Sequence, residues 1–126
     1  MKKVCVVVPC YNEAGNIEDI LRADFELNPD IHILVVDDNS PDGTGDIVDG
    51  LISQRVFGEK LHIIHRSGKL GLGTAYIDGF KWAMQNGFDV FISQDADFSH
   101  NPIYIKEMLR LVDVGYDLVI GSRYVD

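Results

Sequence analysis

Two carboxylates one residue apart, Asp95-Ala96-Asp97, follow directly on the apolar run Val90-Phe91-Ile92-Ser93 and Gln94. Leaving the end of a strand, such a pair can turn toward one point. Its hard oxygen donors suit Mg2+ or Mn2+, which keep some of their waters and bind substrate phosphates as well. A metal held there would act as a Lewis acid on a leaving diphosphate. A solvated acidic turn is the plainer reading of the pair alone, and its place in the fold decides between the two.

Other chemistry-bearing residues cluster in the same kind of place. Asp37-Asp38 closes the run Ile31 to Val36, where a carboxylate can accept hydrogen bonds from a base edge or from ribose hydroxyls. Asp38-Asn39-Ser40-Pro41-Asp42-Gly43 is also dense in turn formers, so shaping the loop and reading a nucleoside are compatible roles. After the first run, Tyr11 offers a stacking face for a base and Glu13 an acceptor, while Asn12 fits a helix start. Arg66 and Lys69 are rare cations in a Gly-rich stretch, Arg66 to Ala75. Lys69 lies just before a helix N-terminus and suits a phosphate; Arg66 reads equally well as a solvated surface charge. Gly71 and Gly73 begin a GxGxxG, but Tyr76 takes the third glycine's place, so a dinucleotide fingerprint is weak. Arg123, after the run Leu118-Val119-Ile120, can clamp a phosphate bidentately. His100 stands nearest the acidic pair and reads as a turn or surface residue, and His32, His62 and His65 read as structural.

Positioning these residues falls to an alternation of strand-length apolar runs and amphipathic stretches. Val4 to Val8, ended by Pro9, Ile31 to Val36, Leu61 to Ile64, Val90 to Ser93 and Leu118 to Ile120 read as strands. Between them, Asn16 to Asn28 puts Ile17, Ile20, Leu21 and Leu27 on one helical face. Thr44 caps a second helix that buries Ile47, Val48, Leu51 and Ile52. Gly71 to Asn86, stopped by Gly87, gives a third helix, and Pro102 to Gly115 a fourth. Runs that are apolar throughout belong to strands covered on both faces. The expected fold is therefore α/β, an open, mostly parallel sheet with helices on both faces. Ligands of such sheets sit outside the carboxyl ends of the strands, which is where all the polar segments named above fall.

Composition narrows the function. A formal charge of -9, from 20 acidic and 11 basic residues, excludes the basic face of a nucleic-acid binder and a polybasic membrane patch. An acidic protein that takes an anion must neutralise it locally. Cys5 and Cys10 make no disulfide framework and read as packed, reduced thiols. The run Val4 to Val8 is too short for a signal-peptide core or a membrane span, so the expected location is cytoplasmic. Residues 1–126 read as one domain, without repeat or linker.

Taken together, the segments resemble family 2 glycosyltransferases of the GT-A (Rossmann-like) fold, closest to the polyprenol-phosphate or dolichol-phosphate mannosyltransferases. The matching pieces are Val8 to Glu13, Val35 to Thr44, Lys69 to Tyr76, Asp95 to His100 and Gly121 to Val125, in family order across nearly the whole chain. The resemblance implies an inverting hexosyltransferase with a nucleotide-sugar donor, GDP-mannose, a lipid-phosphate acceptor and Mg2+ or Mn2+. By its pattern Pro9, Tyr11, Glu13 and Asp37 or Asp38 contact the nucleoside, Lys69 belongs to the donor site, and Asp95 and Asp97 hold metal and diphosphate. Arg123 contacts the acceptor phosphate. Two departures stand out: Ser99 where some relatives have a metal-contacting Gln, and Gln94 where a hydrophobic residue is usual. Family members are longer, so the chain is expected to be the N-terminal part of a longer catalytic domain. Peripheral contact with the cytoplasmic membrane face would then come through segments outside it. A UDP-sugar donor is the alternative within the family.

Two rivals come from other classes. A phosphoacceptor receiver domain is also acidic and doubly wound, but needs an acidic pair after its first strand and a lone Asp after its third. Here those places hold Cys10-Tyr11-Asn12-Glu13 and His65-Arg66-Ser67-Gly68. A dehydrogenase needs the missing third glycine, after the first strand. A non-catalytic nucleotide-binding module stays open at this stage.

Overall fold

The computed structural model describes residues 3–67 and 72–94, and the strand formed by Leu118–Ile120. The element order is β1 (Val4–Cys10), α1 (Ile17–Leu27), β2 (His32–Asp37), α2 (Thr44–Ser53), β3 (Leu61–His65), α3 (Leu72–Gln85), β4 (Val90–Ser93) and β5 (Leu118–Ile120). The five strands form one sheet in the order β3-β2-β1-β4-β5, with every neighbouring pair parallel.

The apolar runs build this sheet because each strand divides its side chains between two cores. On one face Val6, Val8, Cys10, Ile33 and Val35 pack with Ile17, Ile20, Leu21 and Phe25 of α1 and Val48 and Leu51 of α2. On the other, Cys5, Val7, Leu34 and Val36 meet Ala75 and Ala83 of α3 and Phe88. Burying one such aliphatic side chain stabilises by about 1.5–3 kcal/mol, so a central strand apolar on both faces anchors the sheet. Cys5 and Cys10 are buried free thiols, as expected.

Several boundaries differ from the sequence reading. Pro9 does not end β1; the strand runs on to Cys10, with Pro9 opposite Val36 of β2. Leu27 is exposed (41%), and the fully buried face of α1 instead takes Asp24 along with Ile17, Ile20, Leu21 and Phe25. The spacing 17, 20, 21, 24 follows the 3.6-residue period more closely than a stripe that includes Leu27. Thr44 is the first residue of α2 rather than its cap, a place taken by Gly43 at φ +90°. Gly87 (φ +79°) follows the end of α3, as expected of a helix stop. The fourth helix, residues 102–115, lies outside the described residues.

The strand order also separates two fold types. A receiver domain has the order 2-1-3-4-5, whereas here β1 is flanked by β2 and β4.

Candidate functional site

From β1 the chain adds β2 and β3 on one side, then crosses back to add β4 and β5 on the other. The direction of winding reverses between β1 and β4, and such a switch point opens a crevice beyond the strand ends. The sequence opens it further. The β1–β4 pairing ends at Val7 and Ser93, followed by one bond from Gln94 N–H to Val7 O at 3.0 Å. Main-chain groups of a parallel strand face alternate neighbours, so after Val7 the next N–H toward β4 would be that of residue 9. Proline has none. β1 therefore stays paired with β2 out to Cys10, whose carbonyl accepts from Asp38 N–H (3.0 Å), while beyond Val7 its β4 side has no strand partner among the described residues.

The loops after β1 and β2 are bound to one another along the wall of this crevice. Asp37 Oδ1 accepts from Ser40 Oγ (2.6 Å), and Ser40 Oγ in turn accepts from Asn12 N–H (3.0 Å). Thr44 Oγ1 accepts from Glu13 N–H (2.9 Å) and donates to Asp42 Oδ1 (2.5 Å), and Asp42 Oδ2 accepts from Ala14 N–H (3.0 Å). Asn12 and Asn39 take left-handed backbone angles (φ +58° and +57°), which Asn tolerates better than most residues. Asn12 thus shapes a turn, and α1 starts after Asn16. Tyr11 is 37% exposed at the tip of β1, and Glu13 is half-buried, with Oε2 accepting from Asn16 Nδ2 (3.2 Å). The convergence of acids is legible at Cys10. Its thiol is pushed well up, by burial first and then by the carboxylates of Asp37, Glu13, Asp38 and Asp42.

Asp38 is buried and meets the one cation that the wall contains among the described residues. Arg66 Nε lies 2.8 Å from Asp38 Oδ1, with the two side chains 4% and 8% exposed. Arg66 Nη2 donates to Thr74 Oγ1 (2.7 Å), and Asp78 stands 3.6 Å from Nη1. Arg66 is therefore not a solvated surface charge. Its N–H groups at Nε and Nη1 stay close to carboxylates without aligned hydrogen bonds, and Asp38 Oδ1 likewise has none. His65, at the end of β3, pairs with Asp49 at 3.0 Å, whereas His32 and His62 stack on each other (5.3 Å between rings) among Phe88 and Trp82. Burial lowers the pKa of both stacked rings.

The family model for glycosyl transferase family 2 matches residues 5–126. This chain belongs to glycosyl transferase family 2. Among the curated relatives of this family 2 chain are a polyprenol monophosphomannose synthase of Mycolicibacterium smegmatis, 44% identical over 98% of the chain, and an undecaprenyl-phosphate mannosyltransferase of Micrococcus luteus, 42% identical over 98%. A dolichol-phosphate mannosyltransferase of Pyrococcus furiosus is 40% identical over 98%. The chain spans 46%, 49% and 34% of their respective lengths. Among solved structures, a mannosyltransferase from Pyrobaculum calidifontis in complex with GDP-Man and Mn2+ superposes with a TM-score of 0.67 at 27% identity, over 76% of this chain and 28% of that one. A glucosyl-3-phosphoglycerate synthase from Mycobacterium tuberculosis shares the fold (TM-score 0.60, 19% identity, 88% and 39% covered). The sheet is thus the GT-A fold expected from the sequence.

Of the residues singled out for this family 2 site, Pro9, Tyr11, Glu13, Asp37 and Asp38 lie together on the crevice wall. Lys69, Asp95, Asp97 and Arg123 lie outside the described residues. Among the described residues no group of three or more His, Cys, Asp or Glu side chains is arranged to hold a metal. No described helix is long and apolar enough to cross a membrane. The sequence reading missed Asp24. It is 0% exposed on α1, and burial pushes its carboxyl up to about 7, against the opposing pull of its bond to Gln94. Helical periodicity, applied strictly, would have found it.

Proposed function

We propose that the chain is the donor-binding part of an inverting hexosyltransferase that moves mannose from GDP-mannose to a polyprenol phosphate. The observation that carries this reading is the convergence of Tyr11, Glu13, Asp37 and Asp38 beside the crevice that Pro9 and the end of β4 leave open. The names of the three mannosyl-transferring relatives, and the GDP-Man in the Pyrobaculum structure, support mannose and guanine.

The described wall of the crevice is acidic, and its one cation, Arg66, is already matched with Asp38. A nucleoside diphosphate seated there needs added positive charge. Two hard carboxylates, Asp95 and Asp97, fit Mg2+ or Mn2+ as donors. Such an ion, when bound, supplies charge neutralisation to the leaving diphosphate. Tyr11 stacks on the base, and Glu13 with Asp37 or Asp38 accepts hydrogen bonds from base and ribose. Arg66 keeps N–H donors at Nε and Nη1, and Asp38 Oδ1 an acceptor, that no aligned hydrogen bond uses. By residue type and place in the family motifs, Lys69 is assigned to the diphosphate and Arg123 to the acceptor phosphate.

The acceptor oxygen attacks the anomeric carbon opposite the leaving group, through an oxocarbenium-like transition state. A phosphate oxygen is already anionic near neutral pH, so no side chain has to remove a proton from it. Rate comes from positioning and from charge stabilisation. A thermal-shift panel of GDP- and UDP-sugars with and without Mn2+ tests the donor: GDP-mannose raises the melting temperature only with Mn2+. A larger shift with UDP-sugars reassigns the donor, and no shift with either refutes the reading. Asp97→Ala in the full-length enzyme abolishes metal-dependent transfer, and unchanged turnover would remove Asp97 from the reaction.

A further inference from the structure

Gln94 is the residue from which the chain passes to Asp95, and it is tied twice. Its main-chain N–H donates to Val7 O at 3.0 Å, holding it to β1. Its side-chain Nε2 donates to Asp24 Oδ1 at 3.1 Å, holding it to α1 across 70 residues of sequence. Gln94 is 3% and Asp24 0% exposed. Packing alone does not ask for this pair. Buried polar groups cost stability unless bonded, and an apolar pair of similar volume would hold α1 to β4 at least as well. Among the described residues, the bond between them is the one side-chain hydrogen bond that Asp24 makes, and Asp24 Oδ2 and Gln94 Oε1 have no partner.

We propose that Asp24 and Gln94 form a positioning pair for the donor site, their hydrogen bond fixing the end of β4, to which the acidic pair is directly joined in sequence. This rests on the donor reading given above. Neither residue touches substrate. They act through the main chain of residue 94, which has β1 on one side and α1 behind it. Geometry at this point matters because a misplacement of about 1 Å can cost about a hundredfold in rate.

The test compares wild type, Asp24→Leu/Gln94→Leu and Asp24→Asn in the full-length enzyme, reading melting temperature, donor-free amide exchange at Gln94, and Mn2+-dependent mannosyl transfer. The apolar double variant is expected to melt no lower than wild type. Its Gln94 amide exchanges about tenfold faster, as a locally loosened strand end does. Its kcat falls about a hundredfold while KM for the donor changes little. Asp24→Asn, whose Oδ1 can still accept from Gln94 Nε2, recovers most of kcat. Should the double variant not fold, Gln94→Met takes its place with the same expectations for exchange and kcat, though it melts lower because Asp24 loses its bond. Wild-type exchange and wild-type kcat in the apolar variant overturn the pair while leaving the donor reading intact. A wild type without Mn2+-dependent transfer overturns the donor reading, and the role of the pair with it; the donor-free exchange arm tells the two failures apart.

Discussion

Among the buried acids, Asp38 lies against a guanidinium, whereas Asp24 lies against an amide. Removing the Asp38 carboxylate strands Arg66 in the wall with, among the described residues, only Asp78, at 3.6 Å and 46% exposed, to balance it. Breaking one side of a buried pair costs about 3–5 kcal/mol, so Asp38→Ala is expected to lower unfolding free energy near the bottom of that range. Denaturant titration measures this, and a loss under about 1 kcal/mol would mean that Arg66 finds water instead. Asp24 behaves in the opposite sense. Its folded-state pKa of about 7 lies above the ordinary 3.8, so the folded chain keeps a proton that the unfolded chain releases. The stability from that proton is complete below about pH 4 and fades as pH rises through about 7. Between those limits, wild type should lose stability relative to Asp24→Asn, which has no proton to release. Parallel curves for the two proteins from pH 4 to 8 would contradict the assignment.

At the scale of elements, the site depends on how closely α3 lies on the sheet. A Cβ added at Gly79 would stand 2.4 Å from Val7 Cγ1 and 3.4 Å from Val36 Cγ2. Both are buried in the strands whose ends bear Pro9 and Asp37. Helix propensity favours alanine there, so any loss in Gly79→Ala reports the clash alone. Overpacking of this kind costs about 1–3 kcal/mol, and a melting temperature at or above wild type would show that α3 can lift without cost. The elements themselves were readable because their apolar runs are unambiguous: Val4 to Val8 and Ile31 to Val36 have no other use than strands covered on both faces. What escaped was set by tertiary context. Pro9 looks like a strand terminator until the β1–β4 pairing is known to end at Val7 and Ser93, which removes the need for its N–H. Thr44 looks like a cap until its hydroxyl is seen to serve Glu13 and Asp42. Arg66 looks solvated because its partners, Asp38 and Thr74, lie on other elements. Leu27 and Asp24 exchanged expected places because apolarity was weighed above helical phase.

For the whole molecule, charge and extent together set what this chain can do alone. A chain of formal charge -9 repels a nucleoside diphosphate at long range, and its described crevice wall has no unmatched cation to offset that. Donor binding should therefore depend on metal more steeply than on any single side chain of the wall. The curated relatives are two to three times as long, the chain covering 46%, 49% and 34% of them. On the proposed reading, a donor site at the switch point is built by β1, β2 and β4, all inside this length, whereas the acceptor would approach from beyond the strand ends. The 126-residue chain is thus expected to show a Mn2+-dependent melting shift with GDP-mannose that EDTA reverses, yet to transfer no mannose to polyprenol phosphate. The full-length protein should do both. Mannosyl transfer by the 126 residues alone would place the acceptor site within them. A shift that survives EDTA would instead mean that Lys69 and the helix N-termini neutralise the diphosphate without a metal.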